Sequence, residues 1–209
     1  MNSEPCILYV ADPMCSWCWG FAPVLSHLEE IAEGVPLQYV LGGLAPDSDQ
    51  PMDPATRSYV QQAWRDVEAR TGAQFNFDFW KRCAPRRSTW PACRAVLLAR
   101  DHGQEQAMFR AIQAAYYRDA RNPSDDDVLA DLAHDLGIDR QEFTSQLHAD
   151  ATKHALEQDF ELRRELGASS FPSLGVRHAG KLHLLHSGWC DEEQVAELWG
   201  RWTAHAKGL

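Results

Sequence analysis

The residues best suited to chemistry in this chain are two thiols at i and i+3, in Cys15-Ser16-Trp17-Cys18. A thiolate is the attacking species in thiol–disulfide exchange, and a second thiol one helical turn away can resolve the mixed disulfide that results. Such a pair works best where a strand ends and a helix begins, because the first amides of a helix lack intrahelical partners and its dipole favours negative charge. Cys15 is then the nucleophile and Cys18 the resolving thiol. A structural zinc site wants four ligands, and this pair supplies half of one. Cys83 and Cys93 lie too far apart to form a second compact pair, and the nine histidines show no ligand spacing. Two inert, buried helix cysteines are the remaining alternative, against which Pro13 and Trp17 argue for a shaped, partly exposed helix start.

The elements around the pair fit that requirement. Residues 6–11 (Cys-Ile-Leu-Tyr-Val-Ala) read as a buried strand that Asp12-Pro13 ends. A helical pattern follows from Cys15 to Glu33, with Val24, Leu25, Leu28, Ile31 and Ala32 on one face and Gly34 and Pro36 as its stop. Residues 37–44 read as a second strand, so the start of the chain is a βαβ unit with a parallel pair. Asp53-Pro54 opens a helix that Gly72 closes. After a loop containing Pro85 and Pro91, helical patterns cover 92–102, 105–119, 124–136 and 141–166, with Ser124 and Asp127 resembling a capping box. Residues 173–177 and 181–186 flank Ala179-Gly180 as a hairpin. A helix from Asp191 to Ala204, with Asp191 and Gln194 as a cap pair, ends the pattern.

Composition narrows the function. The chain has 209 residues, 44% of them apolar, with eight Trp and a formal charge of −10. That is enough apolar content for a packed core. The acidic balance disfavours nucleic acid as a partner, since phosphate binding needs clustered Lys and Arg. No apolar run approaches the ~18 residues that a membrane span requires. Met1-Asn2-Ser3-Glu4-Pro5 carries no Lys or Arg, and residues 6–10 are too short for the apolar stretch of a secretory signal, so the expected location is cytoplasmic. Stable structural disulfides are rare there, which favours transient, catalytic ones.

A second motif is Ser169-Ser170-Phe171-Pro172-Ser173-Leu174. Read alone, a proline between a helix and a strand is a breaker placed where no ladder donor is needed. Together with the CxxC, however, the chain resembles the thioredoxin-fold proteins, which carry a CxxC at the start of their first major helix and a cis-proline opening the strand opposite. Phe171-Pro172 matches that proline, and the resemblance implies that Phe171 offers its backbone to substrate. More narrowly, the chain is similar to the DsbA-like branch, in which a helical domain interrupts the fold. Residues 9–21 (Tyr-Val-Ala-Asp-Pro-Met-Cys-Ser-Trp-Cys-Trp-Gly-Phe) and 90–95 (Trp-Pro-Ala-Cys-Arg-Ala) resemble a cytoplasmic subgroup of predicted disulfide isomerases near the FrnE-like proteins. The Ser-Trp dipeptide between the cysteines departs from the Pro-His of DsbA and the Gly-Pro of thioredoxin, so DsbA's strongly oxidising poise does not carry over.

The resulting expectation is an α/β chain: a thioredoxin-like fold with an inserted all-helical domain. Residues 1–54 and 167–209 form the discontinuous thioredoxin-like part, and 55–166 the insertion. The function expected is a thiol–disulfide oxidoreductase or isomerase acting on protein disulfides or dithiols, with glutathione as a further candidate partner. It would use no organic cofactor and no metal, because the two sulfurs are the redox centre. Cys15 and Cys18 are the catalytic candidates; Trp17, Phe171 and Pro172 are the substrate-binding ones. Trp17 and Trp19 flank the cysteines, one belonging to the core and the other to an apolar substrate face. Arg86 and Arg87 either approach the site or form a solvated loop. Cys93 is either an active-site neighbour or a buried small hydrophobe; Cys6 and Cys190 are expected to be structural, and Asp125–Asp127 to complement a helix start. The alternative is a glutathione-dependent enzyme like the kappa-class transferases and 2-hydroxychromene-2-carboxylate isomerases. Those have serine at the position of Cys15. A third possibility is a non-enzymatic partner-binding module.

Overall fold

A computed structural model of the chain describes residues 4–206. The reading made for Met1–Ser3, and the ends of the ranges 1–54 and 167–209, lie partly outside those residues. The chain folds around a four-stranded sheet of order β2-β1-β3-β4, from β1 (Cys6–Ala11), β2 (Leu37–Leu41), β3 (Ser173–His178) and β4 (Lys181–Ser187). β1 pairs parallel with β2, from Ile7 opposite Leu37 to Ala11 opposite Leu41, and antiparallel with β3. The β3–β4 hairpin turns at Ala179-Gly180, where both residues take positive φ (48° and 75°) as a tight hairpin turn matching the strand twist requires.

Between β1 and β2 run α1 (Ser16–Trp19) and α2 (Ala22–Ile31). Between β2 and β3 run α3 (Pro54–Thr71), α4 (Phe79–Arg82), α5 (Trp90–Asp101), α6 (Glu105–Tyr117), α7 (Asp126–Asp135), α8 (Arg140–Gln146) and α9 (Asp150–Leu166); α10 (Glu192–Ala206) follows β4. This is the thioredoxin-like fold with a helical insertion. Because β1 is buried on both faces, its alternate residues serve two cores. Ile7, Tyr9 and Ala11 face α2 and the insertion; Leu8 and Val10 pack with Val40, Leu166 and Ala168. Within the insertion, Trp64 is the centre of an aromatic cluster with Phe75, Phe77, Phe79, Trp80, Tyr116 and Tyr117.

Several boundaries differ from the sequence reading, each for a local reason. The helix expected from Cys15 to Glu33 breaks after Trp19, because Pro23 has no N–H to give to the Trp19 carbonyl. The strand expected to reach Leu44 ends at Leu41, where Gly42 and Gly43 turn the chain. Ser124 does not cap α7: Asp125 holds the cap position without a side-chain bond, and Ser124 Oγ donates to the Ser88 carbonyl instead. The pattern over 141–166 is two helices, broken where buried Arg94 donates from Nε to the Leu147 carbonyl at 2.7 Å. The short α4 fell in what the sequence suggested was loop. The Asp53 cap donors (Ala55 and Thr56 N–H) and the reciprocal Asp191–Gln194 pair are as expected.

Candidate active site

The end of β1 delivers Asp12 to a sharp turn that leads into the cysteines. Asp12 Oδ1 accepts from Met14 N–H at 2.8 Å and its carbonyl accepts from Cys15 N–H at 3.0 Å. Both bonds bend the chain so that Cys15 sits at the cap position of α1 with extended backbone (φ −85°, ψ 119°). The amides of Ser16, Trp17 and Cys18 open that helix without intrahelical partners. α1 is a single turn, so its dipole is smaller than the longer helix of the sequence reading implied, and these local amides are what a thiolate on Cys15 has to rely on.

All six cysteines are free thiols. Cys15 is 7% exposed and Cys18 1%. Burial, followed by the adjacent Cys15 thiol, pushes Cys18 well above the usual thiol range. The Phe171–Pro172 bond is cis and lies opposite: Cys15 Sγ is 3.9 Å from the Phe171 carbonyl oxygen. The structure therefore brings together Cys15, Cys18, Phe171 and Pro172, which are 156 residues apart in the case of Cys15 and Phe171. Trp17 is half-buried beside Trp189 (ring centroids 6.3 Å apart), and Arg70 stacks over Trp189. Trp19 turns the other way, stacking on Tyr117 and donating from Nε1 to the Gln74 carbonyl.

Phe171 is itself held. A Cβ on Gly42 would come within 2.0 Å of its ring, so only glycine permits the end of β2 to approach that closely. Arg163 lies over the ring, 5.5 Å from its centroid, and donates to the Gly42 carbonyl at 3.1 Å.

Behind the cysteines lies a polar centre that the sequence did not single out. Asp12 is fully buried, and its Oδ2 accepts from Leu44 N–H at 2.8 Å, Thr89 Oγ1 at 2.6 Å and Cys93 Sγ at 3.6 Å. Burial raises the Asp12 carboxyl against the lowering effect of these donors, with Thr89 the strongest of them. Cys93 is thus a neighbour of the site through Asp12, but burial first and the Asp12 charge second push its thiol well up, so it stays protonated. Of the loop that was expected to approach the site, Thr89 does so. Arg86 instead pairs with Asp125 at 2.6 Å and donates to the Ser124 carbonyl, and Arg87 is exposed. Cys190 is buried, its thiol pushed up to about 11 by burial and then by Asp191.

A cis-proline facing a CxxC across a β1–β3 pair, in a sheet interrupted by a helical insertion, defines a thioredoxin-fold protein. The match of residues 7–197 to the DsbA-like thioredoxin domain makes the assignment specific: the chain belongs to that family. Among solved structures it is similar to one from Nitrosomonas europaea proposed as a protein disulfide isomerase, at 31% identity and a TM-score of 0.84, covering 97% of this chain and 98% of that one. The cytosolic disulfide reductase DsbM from Pseudomonas aeruginosa matches at 25% identity and a TM-score of 0.78, over 95% of this chain and 98% of that one. A relative of another kind is the ClpXP adapter protein SpxH from Bacillus subtilis, 26% identical over 176 residues, which are 82% of this chain and 58% of the adapter. The chain thus spans little more than half the length of that relative. Among the described residues no helix is long and apolar enough to cross a membrane.

Proposed function

We propose that Cys15 and Cys18 exchange disulfides with thiol or disulfide substrates. The observation that carries this reading is the approach of Cys15 Sγ to the Phe171 carbonyl across the cis bond. That carbonyl is an acceptor at the mouth of the site, available to a backbone N–H of an extended substrate. The Cys15 thiolate attacks one sulfur of the substrate disulfide, whose S–S bond breaks as one substrate thiolate leaves. Cys18 then loses its proton and attacks the Cys15 sulfur, releasing the second substrate thiol. The substrate gains two electrons and the protein is left with a Cys15–Cys18 disulfide; the reverse sequence oxidises a dithiol. The greater burial of Cys18 supports its assignment as the second thiol to react, and the position of Trp17 beside Trp189 supports an apolar face for the substrate chain.

Protein disulfides, with glutathione as a small-thiol alternative, are the substrates of this reading, and the cytoplasm is its location, in keeping with the cytosolic reductase among the structural neighbours. The presence of a thiol at position 15 weighs against the glutathione-transferase alternative. An adapter role has the SpxH similarity in its favour. Insulin reduction with dithiothreitol as electron donor separates the two. The expected result is acceleration by the protein and loss of that acceleration in Cys15→Ser with an unchanged circular dichroism spectrum. Equal rates with the variant sink the redox reading and leave the adapter role.

A further inference from the structure

A groove with a cavity volume of about 570 Å³ runs between α2 and α6, with Cys18 in its lining. It touches neither Cys15 nor the cis-proline. One wall is Ala22 and Ser26; the other is Ala111 and Ala114, small side chains that leave the space between the helices unfilled. The volume lies within the range of about 300–1,000 Å³ usual for small-molecule sites, and the lining is mostly apolar, as such sites are.

Two observations point to a ligand rather than a packing defect. Gln113 belongs to the lining and is 2% exposed, yet its Nε2 amide has no hydrogen-bond partner in the protein. A buried, unpaired donor of this kind is destabilising until an acceptor reaches it. At the rim stands Arg110, which forms one ion pair, from Nη2 to Glu29 Oε2 at 3.6 Å, and no closer hydrogen bond among the described residues; the other Glu29 oxygen accepts from Gln106 Nε2 at 2.9 Å. Most of the Arg110 donors are therefore available. Arg118, also in the lining, is committed to Asp119 through two bonds and is set aside.

We propose that this groove binds a small, largely apolar molecule carrying one anionic group, its body between α2 and α6, an acceptor on Gln113 Nε2 and its charge on Arg110. The site goes beyond the thiol chemistry and does not depend on it, although its floor includes Cys18.

The probe is 8-anilinonaphthalene-1-sulfonate, followed by fluorescence and by NMR on the full chain. The expected result is saturable one-site binding, and a shift of the Gln113 side-chain amide resonances on titration. Affinity falls by about tenfold or more in Ala111→Trp, which fills the groove from a half-exposed position, and several-fold in Arg110→Gln. Should Ala111→Trp not fold, Ser26→Trp on the exposed opposite wall takes its place. Cys15→Ser binds as the parent does, so the outcome is independent of the disulfide-exchange reading. The proposal is overturned by an absence of saturable binding, by Gln113 resonances that do not move, by unchanged affinity in the tryptophan variant or by unchanged affinity in Arg110→Gln.

Discussion

The Thr89 hydroxyl donates to Asp12 Oδ2 at 2.6 Å, and through that bond the start of α5, in the insertion, holds the turn that carries both cysteines. Both side chains are buried, and Thr89 Oγ1 in turn accepts from Ala45 N–H at 3.1 Å. Replacing Thr89 by valine keeps the volume and removes a donor to the carboxylate and an acceptor for the amide. Leaving buried polar groups unpaired costs about 1–3 kcal/mol, so urea unfolding of Thr89→Val gives an unfolding free energy lower by that amount, read as a lower midpoint with an unchanged slope. A variant as stable as the parent would mean that water reaches Asp12.

The same carboxyl makes stability depend on pH with a definite sign. Burial raises Asp12 in the folded protein above its unfolded value of about 3.9. Between those two values the folded state binds more protons than the unfolded one, so this group's contribution to stability falls as pH rises through the window and is flat above it. Asp159 and Glu105 are also raised by burial, and Asp53, Asp78 and Asp131 are lowered by their hydrogen bonds, so the parent curve sums contributions of both signs. The difference curve between parent and Asp12→Asn isolates the Asp12 part. Asparagine removes the titration but presents an N–H₂ where Asp12 accepts bonds, so the variant is less stable overall while its difference from the parent narrows as pH rises. Parallel curves for the two proteins would refute the burial argument.

The parts of this molecule that were legible in its sequence are those set by short-range signals. The βαβ start follows from apolar runs and breakers, and the α3 and α10 caps from residues two to three positions apart; Phe171-Pro172 alone reads only as a breaker, and its place opposite the cysteines follows from the resemblance to thioredoxin-fold proteins. The Asp12 centre was not legible, because its partners Leu44, Thr89 and Cys93 lie 32, 77 and 81 residues away and only the packing of the insertion on β1 assembles them. A signal did exist: an aspartate following a fully apolar strand must be buried or end the strand, and here it does both. The break after Trp19 was legible too, in Pro23, but the apolar spacing of 24–32 outweighed it. The Leu147 break could not be read, since the side chain that satisfies its free carbonyl, Arg94, lies 53 residues away.

The proposed order of the two thiols makes a distinct forecast for Cys18. Without the resolving thiol, the mixed disulfide formed at Cys15 has no intramolecular exit. Cys18→Ala incubated with a disulfide-bearing peptide therefore accumulates a covalent adduct at Cys15, seen by mass spectrometry as the added mass of one peptide thiol and released by dithiothreitol. Cys15→Ala forms none under the same conditions, because Cys18 is almost fully buried and its thiol is held protonated. Adducts forming instead on Cys18 of the Cys15 variant would reverse the assignment.

Gly42 tests whether the position of the Phe171 carbonyl matters to the chemistry. A methyl at this residue would lie 2.0 Å from Phe171 Cε1, so the ring, which has Arg163 over it, must shift to admit it. Overpacking of this kind costs about 1–3 kcal/mol. The stability loss alone is a structural effect, so the informative readout is the comparison of two substrates. A small disulfide such as 5,5′-dithiobis(2-nitrobenzoate) needs only Cys15, whereas a peptide disulfide also needs the Phe171 carbonyl. Gly42→Ala, assayed well below its melting temperature, is expected to lose kcat/KM for the peptide while keeping most of its rate with the small disulfide. Equal losses for both substrates would assign Phe171 to packing and remove the carbonyl from the binding of substrate backbone.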